Sequence, residues 1–568
     1  MIDFNPITPD DKTAYDTYLF DGKERGCEFS FVNVYSWGQQ RMVLLHDHIA
    51  LFATFYGRSH YPYPLGQGDK KPVLDAILAD AKERGISCRI TGLLKEDRET
   101  LEKLYPGKFC FGFEKDSFDY VYSIDDLADL KGRKYHRKRN HFKRFQTAFP
   151  DYRVEPLTED TLPLVFHMID CWYKQKAYEH PGGNYALEQA ALYKTLRHYK
   201  ELGMEGLLLF HKETLLAVTL GSRVSSDTFD VHFEKARADV EGAYTAINCE
   251  FARYIRNKYP EIKYLNREED MGIPGLRKAK ESYFPHHQIE KYRAYPMEEL
   301  HVGVPCESHL PNLRNLWKES FGDTDEFLNS FYSLAFSPSR SRIITMDEKV
   351  IAALYWFDCE YENKRIAYVY GVSVAEAFRG QGFGRRLLEE THAHLASLCY
   401  EGIVLVPNGQ RLFEFYEKFG YQTSGYVNEF EITAEMTSCA DANDFLLHEI
   451  NKEEFAALRR KFLPKHSVIQ EKENLDFLEA QAKFYAGEDF VMAAYVEEQA
   501  PIEDEFHEKI LHCAELLGNA SHASKIMQAL GCTKVRFRTP GKEIPFAMYH
   551  SLTNSEFIPP QYFGLAFD

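Results

Sequence analysis

The sequence predicts an α+β protein made of several α/β-layered blocks, with mixed central sheets flanked by helices. Three observations carry that expectation. The chain has 568 residues, which at roughly 100–200 residues per domain means about three to five domains. Apolar runs of strand length alternate with amphipathic helical stretches from end to end, the pattern of stacked sheets and helices. Hydrophobic residues make up 44% and charged residues 27%. Those proportions belong to a globular chain and exclude a disordered, collagen-like or coiled-coil rod.

The elements fall into four blocks: 1–125, 126–298, 299–432 and 433–568. In the first, Met42–Phe55 reads as strand and Lys71–Arg84 as helix. The second opens on a basic run. Gly206–Phe210 and Leu215–Arg223 then read as paired strands, and Thr228–Glu234 continues the alternation. A helix follows in which Tyr244, Ile247, Phe251, Tyr254 and Ile255 line one face. Lys263–Leu265 is a short strand. The third block begins after Tyr295-Pro296 and closes near the strand Tyr426–Ile432. The fourth reads as helices over Phe455–Phe462 and Asn474–Tyr485, a strand Phe490–Val496, an acidic loop, and a strand Lys509–Leu516. It ends with a helix Ala520–Leu530 and strands Lys534–Arg538 and Phe546–Leu552. No Gly/Ser-rich or Pro-rich linker divides the blocks. The aromatic C-terminus, Gln561–Asp568, is expected to be packed, with a terminal carboxylate that could reach an active site.

Charge and cysteine usage narrow the function classes. With 68 Lys plus Arg against 86 Asp plus Glu the net charge is −18, so contact with nucleic acid would need a local basic patch. The apolar stretch Gly206–Leu220 is broken by His211, Lys212 and Glu213, whereas a membrane span needs about 20 apolar residues. The N-terminus lacks the basic and apolar regions of a signal peptide. The 11 cysteines are scattered, with no CxxC pair. Together these features lead to the expectation of a cytoplasmic protein with reduced thiols, no integral membrane segment and no metal cofactor.

The strongest motif lies in residues 366–388, IAYVYGVSVAEAFRGQGFGRRLL. Tyr368, Tyr370, Val372 and Val374 are expected on one face of a strand. After a turn comes Arg379-Gly380-Gln381-Gly382-Phe383-Gly384, then a helix with an apolar stripe of Leu387, Leu388, Leu395 and Leu398. Glycines let a backbone approach a phosphate closely. Free N–H groups and the dipole at a helix start favour an anion there, and Arg379 and Arg385 add charge-assisted donors. Downstream stand a short buried strand, Gly402–Val406, the turn Asn408-Gly409, and a helix Gln410–Phe419 stopped by Gly420.

The order strand, RxxGxG, helix, strand, Asn, helix with Tyr resembles the GNAT (Gcn5-related N-acetyltransferase) superfamily over residues 300–432. The resemblance implies acetyl-CoA as co-substrate. Backbone amides of Arg379 to Gly384, with Arg385, would hold its pyrophosphate. Val372 and Val374 would offer backbone bonds to the pantetheine arm. Asn408 matches an asparagine often found after the fifth strand, and Tyr416 the tyrosine that often protonates the departing thiolate. Leu412, Phe415 and Phe419 surround Tyr416 at helical spacing, so a plain core role stays open. The general base is not legible; Tyr370, Glu360 or water are candidates. The acceptor is expected to be a small-molecule or peptide amine.

The first half carries a different signature. Within KGRKYHRKRNHFKRF, eight basic residues (Lys131, Arg133, Lys134, Arg137, Lys138, Arg139, Lys143 and Arg144) occur without an acid. Such a segment suits phosphate: RNA backbone, anionic lipid or CoA. Neutralisation by Asp125, Asp126 and Asp129 is the plainer alternative. This segment, VHFEKARADVEGAYTAIN and LNREEDMGIPGLRKAKESYFP together resemble the phosphatidylglycerol lysyltransferase C-terminal domain over residues 1–295. That resemblance implies tandem GNAT-like folds and aminoacyl transfer from aminoacyl-tRNA, with tRNA a possible partner of segment 131–144. His232, Glu234, Lys235, Arg267, Glu268, Asp270, Arg277 and Lys278 become candidates for a substrate pocket. A satisfied polar cluster is the alternative for His232 and Glu234. Glu268, Glu269 and Asp270 could form a metal site, though such a run is usually a solvated loop.

The fourth block repeats the order, but Leu517-Gly518-Asn519-Ala520 replaces the glycine-rich loop. It reads as a non-catalytic partner. The whole-chain expectation is four GNAT-like folds in two tandem pairs, carrying an acetyl-CoA-dependent N-acyltransferase. An aminoacyl-tRNA-dependent transferase in the first half, or a non-catalytic CoA-binding sensor or scaffold, is the alternative.

Overall fold

The computed structural model describes residues 1–20, 24–38, 40–55, 57–179, 185–434, 445–498, 509–553 and 558–567. The chain divides into two compact units, Met1–Glu299 and Leu300–Asp568. The first contains two seven-stranded sheets, the second a single thirteen-stranded sheet. Sheets and helices alternate as expected. No helix among the described residues is long and apolar enough to cross a membrane.

One strand order occurs four times. Four antiparallel strands are followed by a helix, and a fifth strand then pairs parallel to the fourth. The helices of that crossover are Lys71–Arg84, Ala243–Lys258, Phe383–Ser397 and Ala523–Ala529. The parallel fifth strands are Ile90–Leu93, Tyr264–Asn266, Gly402–Leu405 and Lys534–Pro540. A helix is the natural connection, because a parallel pair cannot be joined by a tight turn.

Beyond the fifth strand the two halves of each unit exchange strands. In the first unit, Tyr292–Pro296 inserts between Ile90–Leu93 and Phe109–Phe113. Asp119–Ser123 goes the other way and pairs with Tyr264–Asn266 and His287–Ile289. In the second unit, Ile544–Ser551 lies between Gly402–Leu405 and Gln422–Thr433, which itself continues onto Lys534–Pro540. Each half thus completes the other's sheet, and the exchange leaves fewer exposed edges.

Two local readings differ from expectation. The run Met42–Phe55 is a hairpin of Gln40–Leu45 and His48–Phe55. Its turn residues His46 and Asp47 both have positive φ, 50° and 58°, the conformation a tight hairpin demands. The expected helix Asn474–Tyr485 ends early: Glu473–Glu479 is helical, and Lys483–Ala486 is a strand between His448–Ile450 and Phe490–Glu498. Phe484 and Ala486 are buried there, so sheet pairing overrides the helical spacing.

The second unit's core runs through Trp317, Tyr355, Phe357, Tyr368, Phe477 and Phe567. The C-terminal segment is packed as expected. Phe563 and Phe567 lie against Tyr368, at ring distances of 4.7 and 5.7 Å. Gln470 donates to the Leu565 carbonyl and accepts from its amide. The terminal residue Asp568 lies outside the described residues.

Candidate functional site

The glycine loop follows the strand Lys364–Val374. Gly380 and Gly382 have φ of +77° and +83°, and a Cβ at either would meet nothing within 4 Å. Gly382 opens the helix Phe383–Ser397, which has no side-chain cap, so its first-turn N–H groups face the loop unfilled. Arg379 folds back, its Nε donating to the Val374 carbonyl at 3.0 Å. Arg385 pairs with Glu389 at 2.8 Å on the exposed helix face, a contact of small energetic weight.

The glycines between the fourth strand and the crossover helix in blocks 126–298 and 433–568 are occupied by packing. A Cβ on Gly242 would lie 2.9 Å from the His141 carbonyl oxygen, and one on Gly518 would lie 2.2 Å from that of Asp489. Those two glycines admit neighbouring backbone, whereas Gly380 and Gly382 face open space.

The strand leading to the loop has a second feature of note. Its parallel pairing with Gly402–Leu405 covers Ile366–Tyr368 against Gly402–Val404, while the strand itself runs on to Val374. Beyond Tyr368, toward Val372 and Val374, no parallel strand among the described residues pairs with it. The single face expected for Tyr368, Tyr370, Val372 and Val374 does not persist. Register slips by one between Ala353 and Tyr355, opposite Gly371, whose φ is +62°. Tyr370 packs on Trp317 at 5.6 Å, whereas Val374 lies beside Gly384. A bulge reverses the alternation and re-aims the side chains beyond it.

Tyr416 sits in the helix Gln410–Glu417 and is 7% exposed. Phe415 and Val374 both lie within 4 Å of the position a Cβ on Gly384 would take, so this helix abuts the loop. Burial raises the Tyr416 hydroxyl above its ordinary range, which keeps it protonated at neutral pH. It makes no hydrogen bond to a described residue. Asn408 is exposed just before Gly409, whose φ is +92°. Tyr370 donates to the Phe567 carbonyl at 2.6 Å. Glu360 is remote: Ala352 is the residue facing Val374, and eight residues of strand span about 26 Å.

The sequence candidates of the first unit separate into small groups. Nδ1 of His232 lies 3.0 Å from Glu268 Oε1, and its Nε2 lies 2.8 Å from Ser222 Oγ. Arg267 donates to Glu234 at 2.9 Å. Lys235 pairs with Glu188 at 2.6 Å and lies over the Trp172 ring. Arg277 pairs with Asp270, which also accepts from Tyr120. Lys278 is exposed. The run Glu268, Glu269, Asp270 diverges, because Glu269 turns to Lys291 and Asp270 to Arg277.

Sequence reasoning missed the centre of this region. Lys291 places its ammonium 2.7 Å from Asp119, 2.9 Å from Glu28 and 3.4 Å from Glu269. Burial raises the Asp119 carboxyl, but Lys291, Asn266 and the Cys27 amide outweigh it and leave it below its usual value. Burial pushes Glu269 up to about 7. Asp230 was overlooked too, although Asp230, His232 and Glu234 form a polar row within an apolar strand.

The basic segment forms the helix His136–Ala148, preceded by a turn at Arg133–Tyr135. Much of its charge is matched locally. Lys131 pairs with Asp129, Lys134 with Asp126 and Arg144 with Glu241, and Arg139 donates to the Leu130 and Gly132 carbonyls. Lys138 stacks 3.7 Å from the Tyr283 ring centre, and burial lowers its ammonium to about 8. Arg133, Arg137 and Lys143 are exposed, with no ion-pair partner among the described residues.

Comparison with known proteins reveals the same division. Residues 21–295 match the family "Phosphatidylglycerol lysyltransferase, C-terminal", and residues 339–423 match "Acetyltransferase (GNAT) domain". No curated protein matches the chain. A conserved protein of unknown function from Bacteroides thetaiotaomicron is 35% identical, covering 52% of this chain and 100% of its own, with a TM-score of 0.50. L-PGS from Bacillus licheniformis is 15% identical over 52% of this chain and 94% of its own, TM-score 0.40. A GCN5-related N-acetyltransferase from Anabaena variabilis is 15% identical over 45% of this chain and 73% of its own, TM-score 0.37. Residues 21–295 thus carry a domain of the phosphatidylglycerol lysyltransferase C-terminal family and residues 339–423 a GNAT acetyltransferase domain, both of them acyltransferase families.

Proposed function

We propose that this chain is an acyl-CoA-dependent N-acyltransferase, acetyl-CoA being the donor, whose active site lies in residues 299–432. The observation that carries this reading is the pair of open glycines at an uncapped helix start, beside a strand whose far end has lost its parallel neighbour. The loop N–H groups from Arg379 to Gly384 bind the pyrophosphate. The free edge of Val372–Val374 binds the pantetheine arm. An acceptor amine attacks the thioester carbonyl, the C–N bond forms, the C–S bond breaks, and Tyr416 gives its proton to the departing thiolate, while the proton lost by the amine nitrogen passes through water to restore the Tyr416 hydroxyl. Asn408 orients that end of the site. No metal takes part in this step.

The fold belongs to the same proposal: four GNAT-like folds in two tandem pairs, blocks 1–125, 126–298, 299–432 and 433–568. The fourfold strand order supports it. A cytoplasmic location fits the cysteines, since all ten among the described residues are free.

Calorimetric titration of acetyl-CoA into the full chain tests the reading, followed by thiol release with a panel of small amines and lysine peptides. Saturable binding and amine-dependent CoA release are expected. Absence of acetyl-CoA binding would overturn it.

A second reading concerns the first unit. We infer that it transfers an aminoacyl group from aminoacyl-tRNA, because Arg133, Arg137 and Lys143 remain exposed and unmatched in a chain of charge −18. His232, Glu234, Lys235, Arg267, Glu268, Asp270, Arg277 and Lys278 then surround or support its acceptor pocket. Filter binding of charged tRNA at increasing salt checks it; no retention at low salt removes it.

A further inference from the structure

The strand Thr228–Ala236 carries a carboxylate in an unusual position. Asp230 is fully buried, and neither of its carboxylate oxygens accepts a hydrogen bond. A charge left in that state is strongly disfavoured. Its Oδ2 lies 3.5 Å from Nδ1 of His232, which lies 3.0 Å from Oε1 of Glu268. One donor atom from each of the three residues falls within 4.8 Å of the others.

A neighbouring cluster shows how the fold neutralises such a group when a protein cation is at hand. Cys27, Glu28 and Asp119 form a similar triad, and the Lys291 ammonium lies against both of its carboxylates. No lysine or arginine pairs with Asp230 or Glu268 among the described residues. The nearby Lys280 directs its ammonium at the Arg267 and Glu269 carbonyls instead.

We propose that Asp230, His232 and Glu268 form a binding site for one divalent transition-metal cation, of the zinc or manganese class. Imidazole with two carboxylates suits such ions, and metal–ligand distances of about 2.0–2.2 Å give a tetrahedron edge of about 3.4 Å. The observed separations of 3.0 and 3.5 Å bracket that edge. The surrounding groups fit the role. With Ser222 Oγ, 2.8 Å away, accepting a proton from Nε2 of His232, the Nδ1 lone pair would be free for the metal. Asn33 donates to Glu268 at 2.8 Å and fixes its direction. Between Leu220 and Gly221 the pairing skips His232, a bulge that turns the ring toward the cluster. The His232 and Asp230 side chains are 0% exposed and that of Glu268 is 21%, so solvent or a ligand oxygen approaches along Glu268 to complete the coordination.

The experiment uses the full chain, stripped with a chelator and dialysed against buffered Zn²⁺ or, separately, Mn²⁺. Bound metal is counted by mass spectrometry. One equivalent per chain is expected. Asp230→Asn and His232→Gln should each lose it, and Ser222→Ala should weaken it by about 10–100-fold. Cys306→Ser should keep it, although Cys306 and His309, with Sγ and Nδ1 3.2 Å apart, form an exposed pair that could also take zinc. The wild-type Co²⁺ form decides the matter even if a substitution disturbs folding. Ligand-field bands without thiolate charge transfer support the assignment; thiolate bands place the metal at cysteine and overturn it. No metal retained by the wild type, or an equivalent that survives both Asp230→Asn and His232→Gln, overturns it as well, and Asp230 is then a neutral buried acid.

Discussion

Replacing Gly382 with aspartate is the sharpest perturbation of the proposed donor site. Gly382 has φ +83° and ψ 4°, and a Cβ there meets nothing within 4 Å. In the free protein the substitution therefore costs backbone strain alone, about 1–2 kcal/mol. Binding suffers far more. A phosphate held by two loop N–H groups gains about 1.5–3 kcal/mol from each, so displacing it from both loses about 3 kcal/mol at the lower bound. The new carboxylate, about 4 Å from the phosphate, adds about 1 kcal/mol of repulsion even in fully hydrated surroundings. The sum of about 4 kcal/mol corresponds to a Kd raised by about 1,000-fold. Calorimetry of acetyl-CoA into the full chain measures this, with thermal melting as the control. Gly382→Ala carries the same strain without the charge and should fall between. An acetyl-CoA Kd unchanged within threefold, in folded Gly382→Asp protein, would refute the placement of the pyrophosphate at this loop.

Other parts of the molecule give further expected outcomes. Tyr416→Phe should lower kcat by about 10²–10⁴-fold with little change in the KM for acetyl-CoA; parallel loss in both would show a packing role. Arg459 and Glu515 form a bidentate ion pair at 2.6 and 3.0 Å with side-chain exposures of 2% and 1%. Arg459→Met should therefore cost about 3–5 kcal/mol in chemical denaturation, and adding Glu515→Leu should recover part of it. Burial, reinforced by His550, lowers His392 to about 4. The folded state then binds this proton less readily than the unfolded chain. Stability is lost as pH falls from about 6.5 toward about 4, and His392→Gln should flatten that part of the stability curve. If the basic helix meets RNA, a triple alanine variant at Arg133, Arg137 and Lys143 should reduce the salt slope of tRNA binding by about 2.

The stretches legible in the sequence are those whose physics is local. The loop Arg379–Gly384 shows its geometry in its own residues: glycines where φ must be positive, and a helix beginning without a cap. The crossover helices and the strands Thr214–Arg223 and Lys364–Val374 were equally plain, since the side-chain period follows from burial of one face. The bulge at Gly371 was not, because it depends on how the partner strand Lys349–Tyr361 meets it. Lys138 looked like one of eight equivalent surface cations, yet the helix turns it onto Tyr283.

Short-range pattern was enough for the α+β class and the two family resemblances, because each is written in neighbouring residues. Long-range packing was needed for the strand exchange that carries Tyr292–Pro296 and Asp119–Ser123 into each other's sheets. It also brought together Glu28, Asp119, Glu269 and Lys291, and set Asp230, His232 and Glu268 side by side. Ionisable groups from separate segments gather only when sheet pairing fixes their backbones, and whether each is matched by a cation depends on those final few ångströms.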